Sequence, residues 1–142
     1  MNEINQSINR PKLDFVWFML KLTYGIVPIV AGLDKLGTYK LVNWDIYLNP
    51  SIAHMLSISS GHFMIIVAGH FMMIVGIVEI IAGIIVLSKW TRYGAYLVAL
   101  WLTAVIINLL SMGQYYDIAV RDAVIVVGAL ALAWLTEIKE GR

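Results

Sequence analysis

Four apolar runs constrain this chain more than any other feature: residues 15–33, 63–87, 93–110 and 118–135. A bilayer's hydrocarbon core is about 30 Å thick, so a helix rising 1.5 Å per residue crosses it with roughly 20 mostly apolar residues. The first run is interrupted by Lys21, and the second is long enough to tilt. Only 13% of the 142 residues are charged, against about 25% in a soluble domain whose surface must be hydrated. Lipid therefore has to cover much of the surface. The expectation is an all-α, integral membrane antiparallel four-helix bundle, a single transmembrane domain over residues 1–142. The connections 88–92 and 111–117 are short, which makes their flanking helices antiparallel, and an even number of spans places both termini on one side.

Polar residues with Arg10 and Lys12 precede the first run, as in a signal peptide. Its apolar stretch exceeds an ordinary h-region and no A-x-A-like site follows, so it reads as a retained helix. Basic residues set the orientation. Arg10, Lys12, Lys21, Lys89, Arg92, Lys139 and Arg142 fall on one side, and Lys35, Lys40 and Arg121 on the other. The excess puts both termini in the cytoplasm, which for a bacterial inner membrane leaves the loop 34–62 in the periplasm. No basic cluster suggests nucleic acid. The absence of Cys excludes disulfides, thiolate metal sites and a CxxC relay. No phosphate-binding Gly loop, nucleophile elbow or HExxH pattern occurs.

The outer loop contains Asn43-Trp44-Asp45 and Tyr47-Leu48-Asn49-Pro50. Asn49 suits a helix cap and Pro50 a first helical position. Leu48, Ile52, Met55 and Leu56 follow at helical spacing. This predicts a short amphipathic helix on the membrane interface between spans 1 and 2, with Trp44 and Tyr47 as interfacial anchors.

Ionisable groups within spans are costly and mark the places where function concentrates. In the first helix Asp14, Lys21, Gly25, Pro28, Gly32 and Lys35 share a stripe. In the second, Gly69, Gly76 and Gly83 recur every seven residues, with Glu79 beside them and His62 a heptad upstream. Small residues allow close helix approach, so these stripes read as bundle interior; Pro28 is expected to kink its helix. Lys21 lies roughly 10 Å beyond Asp14, and Glu79 roughly 13 Å before Ser88, at helical rise. These depths predict a Lys21–Glu79 ion pair. It serves either as a structural tie between two helices or, with Tyr24 nearby, as a proton-accepting or ligand-orienting site.

A second polar group is expected near the outer face: Asp34, Lys35, Trp44, His62, Asn108, Arg121 and Asp122, flanked by Tyr115, Tyr116 and Asp117. It is either interfacial anchoring or the mouth of a pocket. His70 is nine residues from Glu79, about 180° around the helix, so the two do not face one cavity. As a haem ligand His70 would require its copy across an oligomer interface, because neither His54 nor His62 lies on another span. A hydrogen-bonded structural role is simpler. Met64, Met72 and Met73 read as gap-fillers rather than a copper site.

The residues Lys21-Leu22-Thr23-Tyr24-Gly25 continuing to Ala31-Gly32-Leu33-Asp34-Lys35-Leu36 resemble the opening of DoxX-like membrane proteins. Glu79-Ile80-Ile81-Ala82-Gly83-Ile84, with Lys89, Arg92, Tyr93 and Gly94, is similar to that family too. So is Arg121-Asp122-Ala123 leading to Gly128-Ala129-Leu130. The resemblance implies a four-helix bundle tied to redox metabolism: a small membrane subunit binding a quinone or another lipophilic ligand. It equally admits a scaffold, assembly factor or chaperone-like protein without a cofactor, whose partners are another protein or a second copy of the chain. Transport is the weaker alternative, since no inverted repeat or broken-helix pair is visible.

Overall fold

The expected apolar runs become helices because their Leu, Ile, Val and Ala content leaves the backbone no hydrogen-bonding partner but itself in lipid. The computed structural model describes residues 2–37, 51, 61–113 and 115–141, with side chains for 10–37, 51, 72–113 and 115–141. Its four long helices are α1 (Asn2–Lys35), α2 (Gly61–Leu87), α3 (Thr91–Ser111) and α4 (Tyr116–Glu140). A short helix lies between spans 1 and 2. Ser51 is its described residue; Trp44, Tyr47 and the rest of the expected amphipathic face lie outside the described residues.

Segments Arg10–Lys35, Thr91–Ser111 and Tyr116–Glu140 are each long and apolar enough to cross a membrane, and Met72–Leu87 is a shorter apolar segment of α2. The outer surface agrees with this. On α4, Val120, Val124 and Val127 form one stripe at 67%, 68% and 67% exposure, a pattern that water would penalise and acyl chains cover. Phe15, Ile74, Leu100 and Ile107 extend the apolar surface to the other helices. The chain is an integral membrane protein.

Helix α1 packs most closely on α2, and α3 on α4; α2 meets α3, while α1 makes a thinner contact with α4. The two close pairings have different causes. Between α1 and α2, glycine faces glycine: a Cβ at Gly83 would lie 2.5 Å from the Gly25 carbonyl oxygen, and one at Gly76 would lie 2.7 Å from that of Gly32. No other residue allows that approach, which confirms the predicted seam at Gly25, Gly32, Gly76 and Gly83; the surroundings of Gly69 lie outside the described side chains. The α2–α3–α4 core is built of small residues instead, with Ala82 and Val86 packed among Ala95, Val98, Ala99, Ala129, Leu132 and Ala133.

Differences from the expected boundaries are confined to helix ends. Helix α1 runs through both Pro11 and Pro28 and begins at Asn2, well before the first apolar run. A polar segment can continue a helix beyond the bilayer because water satisfies its exposed groups. Gly37, at φ 82°, closes α1 with its N–H bonded to the Asp34 carbonyl, the left-handed terminus glycine favours. Helix α4 continues to Glu140, where Lys139 reaches back to Asp14 at 2.8 Å. Asp14 and Lys21 of α1, the α2–α3 turn and the end of α4 therefore share one end of the bundle, as four antiparallel helices require.

Candidate functional site

Lys35 and Glu79 occupy the centre of the polar structure. Lys35 Nζ lies 2.8 Å from Glu79 Oε2, with the two side chains only 7% and 12% exposed. The Trp101 indole N–H donates to the other carboxylate oxygen, Oε1, at 3.4 Å. Asp122 is buried on α4, and the charge of Lys35 attracts it. Arg121 Nε is 3.6 Å from Asp122 Oδ1, but the arginine side chain is largely exposed. Three helices thus contribute directly to one layer, Lys35 from α1, Glu79 from α2 and Trp101 from α3, and the buried Asp122 of α4 borders it within reach of the Lys35 charge.

Helix geometry explains why these residues meet. Gly32 and Gly76 lie at one level across the α1–α2 seam. Side chains on a helix lean toward its N-terminus. In an antiparallel pair, Lys35 leans back toward Gly32 while Glu79 leans toward Gly76, so the two converge. A methyl group at Gly76 would lie 3.0 Å from Lys35 Cβ, which shows how closely the lysine stem is laid along the seam.

The same geometry overturns the expected Lys21–Glu79 pair. With Gly25 against Gly83, Lys21 falls near the level of Leu87, roughly 12 Å along the axis from Glu79. The two side chains also lean in opposite directions. Lys21 Nζ donates to the Ser88 carbonyl at 2.8 Å and stands 5.0 Å from the centroid of the Trp17 ring. Asp14 and Ser88 are not level landmarks, because α1 extends further past the bundle than α2 does. Tyr24 is separate again: its hydroxyl donates to the Ile125 carbonyl at 2.7 Å and lies against Gly128. Among the described residues no hydrogen bond or ion pair joins any two of Lys21, Tyr24 and Glu79.

Of the expected outer group, Lys35 is drawn inward to Glu79, while the chain neighbours Arg121 and Asp122 pair with each other on α4. Asp34 is buried at 5% exposure, and Asn108 is half-buried two turns beyond Trp101 on α3. Trp44 and the side chains of His62 and His70 lie outside the described residues. Trp101 was not anticipated. Its available signal is the seven-residue spacing to Asn108, which places the polar edges of both residues on one face of an otherwise apolar helix.

Chemically the layer offers an ammonium and an indole N–H as donors, and two carboxylates as acceptors or proton carriers, inside an apolar shell. Among the described residues no group of three or more His, Cys, Asp or Glu side chains is arranged to hold a metal ion. No protein-family model matches the chain, nor does any curated protein or solved structure.

Proposed function

We propose that this chain is a DoxX-like, redox-linked membrane subunit that binds a quinone or a similar carbonyl-bearing lipophilic ligand at the Lys35–Glu79 layer. The observation carrying this reading is the Lys35–Glu79–Trp101 contact within the spans, at distances of 2.8 and 3.4 Å. Buried ionisable groups in a membrane are costly and are retained where they act on a ligand, ion or proton. Lys35 and Trp101 match the carbonyl oxygens of a quinone ring. Glu79 and Asp122 are the groups able to give or take the protons that accompany its reduction, with electrons supplied by a redox partner protein. The resemblance of Gly32-Leu33-Asp34-Lys35 and Glu79-Ile80-Ile81-Ala82-Gly83 to DoxX-like sequences supports the same reading. The basic-residue asymmetry supports both termini lying in the cytoplasm, on the reading that the membrane is a bacterial inner membrane.

One observation favours the scaffold alternative. The Lys35–Glu79 pair is closed within the bundle, as a purely structural tie would be. Titrating the purified protein with a short-chain benzoquinone and reading tryptophan fluorescence separates the two. Binding predicts saturable quenching that Trp101→Phe largely removes. Linear quenching, equal in wild type and variant, together with a stable partner protein after gentle solubilisation, favours the scaffold.

A further inference from the structure

The end of the bundle that holds Lys21 carries an unbalanced charge cluster that the polar layer does not use. Two ammonium groups converge on one indole: Lys139 Nζ stands 3.9 Å from the centroid of the Trp17 ring and Lys21 Nζ 5.0 Å from it. Their charges repel. Among the described residues one carboxylate is ion-paired with these two ammonium groups, Asp14, at 2.8 Å from Lys139. Lys21 approaches no carboxylate among the described residues, and one of its donors goes to the Ser88 carbonyl. The neighbouring pair of Arg92 and Glu137, at 3.0 Å, is already neutral.

Trp17 is not loosely placed. Its indole N–H donates to Thr136 Oγ1 at 2.8 Å, and that hydroxyl in turn donates to the Leu132 carbonyl at 2.7 Å. The ring is thereby fixed between α1 and α4, the thinly packed seam of the bundle. Trp90 and Tyr93 are exposed at 60% and 68% at this same end, as aromatic residues are at the headgroup level of a bilayer. The corner thus combines surplus positive charge, a rigid amphipathic ring and the thinly packed α1–α4 contact.

We infer that the Lys21–Trp17–Lys139 corner binds the phosphodiester headgroup of an anionic phospholipid, with the acyl chains lying along the α1–α4 seam. One negative charge neutralises the surplus. The free donors of Lys21 meet the phosphate oxygens, and basic pockets between helices at a membrane surface take anionic headgroups in this manner. The site stands independently of the quinone reading, since none of its residues belongs to the Lys35–Glu79 layer.

The test is native mass spectrometry of the full chain in detergent, titrated in parallel with phosphatidylglycerol, phosphatidylcholine and inorganic phosphate. Phosphatidylglycerol should bind at least about tenfold more tightly than phosphatidylcholine, given the attraction each lysine adds near an anionic lipid. The preference should be lost in Lys21→Gln/Lys139→Gln and kept in Lys21→Arg/Lys139→Arg. The single Lys139→Gln variant, at a side chain 34% exposed, covers the case in which the double variant fails to fold, and should weaken the preference about fivefold. Equal binding of the two lipids, or a preference indifferent to the glutamine changes, overturns the site. Inorganic phosphate competing at equal concentration overturns its assignment to lipid.

Discussion

Lys35 Nζ and Glu79 Oε2 lie 2.8 Å apart across the α1–α2 seam, each side chain almost wholly withdrawn from the surface. Lys35 is the last residue of α1, while Glu79 lies within the body of α2. They meet because antiparallel helices tilt their side chains toward one another on one side of a shared level and apart on the other. A buried pair of this kind gains little net stability from being formed, but loses much when one partner is removed.

Lys35→Met and Glu79→Gln should therefore each destabilise the solubilised protein. In soluble proteins the corresponding loss is about 3–5 kcal/mol, and it is smaller where water and snorkelling relieve a membrane charge. The double variant should cost less than the sum. Lys21→Met combined with Glu79→Gln should instead be additive, as expected for groups without a shared partner. Denaturant-induced unfolding in detergent micelles measures both cycles, and coupling in the second but not the first would refute the assigned pairing.

Gly32→Ala should separate α1 from α2, because the new methyl group meets the Gly76 backbone carbonyl, which cannot turn aside, as well as the Ile80 side chain. The expected loss is about 1–3 kcal/mol, as for overpacking elsewhere. Circular dichroism melts would register it as a lower midpoint with helicity retained at low temperature.

Gly128→Ala should act differently, because its methyl group meets the Tyr24 hydroxyl. Tyr24→Phe removes both that oxygen and its bond to the Ile125 carbonyl, at a cost of about 1 kcal/mol. Combined, the two changes should cost less than their sum, since the phenylalanine vacates the space the alanine needs. Strict additivity in thermal unfolding would show that the contact does not limit the α1–α4 approach.

Orientation is open to cysteine labelling, because the chain has no native Cys. A Cys replacing Ser51 should react with an impermeant maleimide added outside intact cells, and one replacing Lys89 only after permeabilisation. The reverse pattern would invert the topology and place the Lys21–Trp17–Lys139 corner on the outer leaflet.

The spans were legible because uninterrupted apolar runs admit few alternatives, and the glycine seam because heptad-spaced glycines on a spanning helix have one common use. The polar N-terminal extension of α1 was not legible, as residues 2–14 carry no apolar periodicity to separate helix from coil. The ion pair was half legible. Both Glu79 and Lys35 stood out as charges on small-residue stripes, but depth was measured from Asp14 and Ser88, which do not lie in one plane. Counting from the glycine contacts, and adding the lean of each side chain, selects Lys35 over Lys21. Trp101 was hidden for another reason: a single indole in an apolar helix reads as packing until its N–H has a partner.

The central claim, that the Lys35–Glu79 layer holds a quinone-type ligand, is tested most directly by extracting the protein purified from its native membrane and analysing the extract by mass spectrometry. The account predicts a quinone at near-stoichiometric amount in the wild type and in Lys21→Met, and its depletion in a folded Glu79→Gln variant. Absence of quinone from the wild type, or equal amounts in wild type and Glu79→Gln, would contradict it.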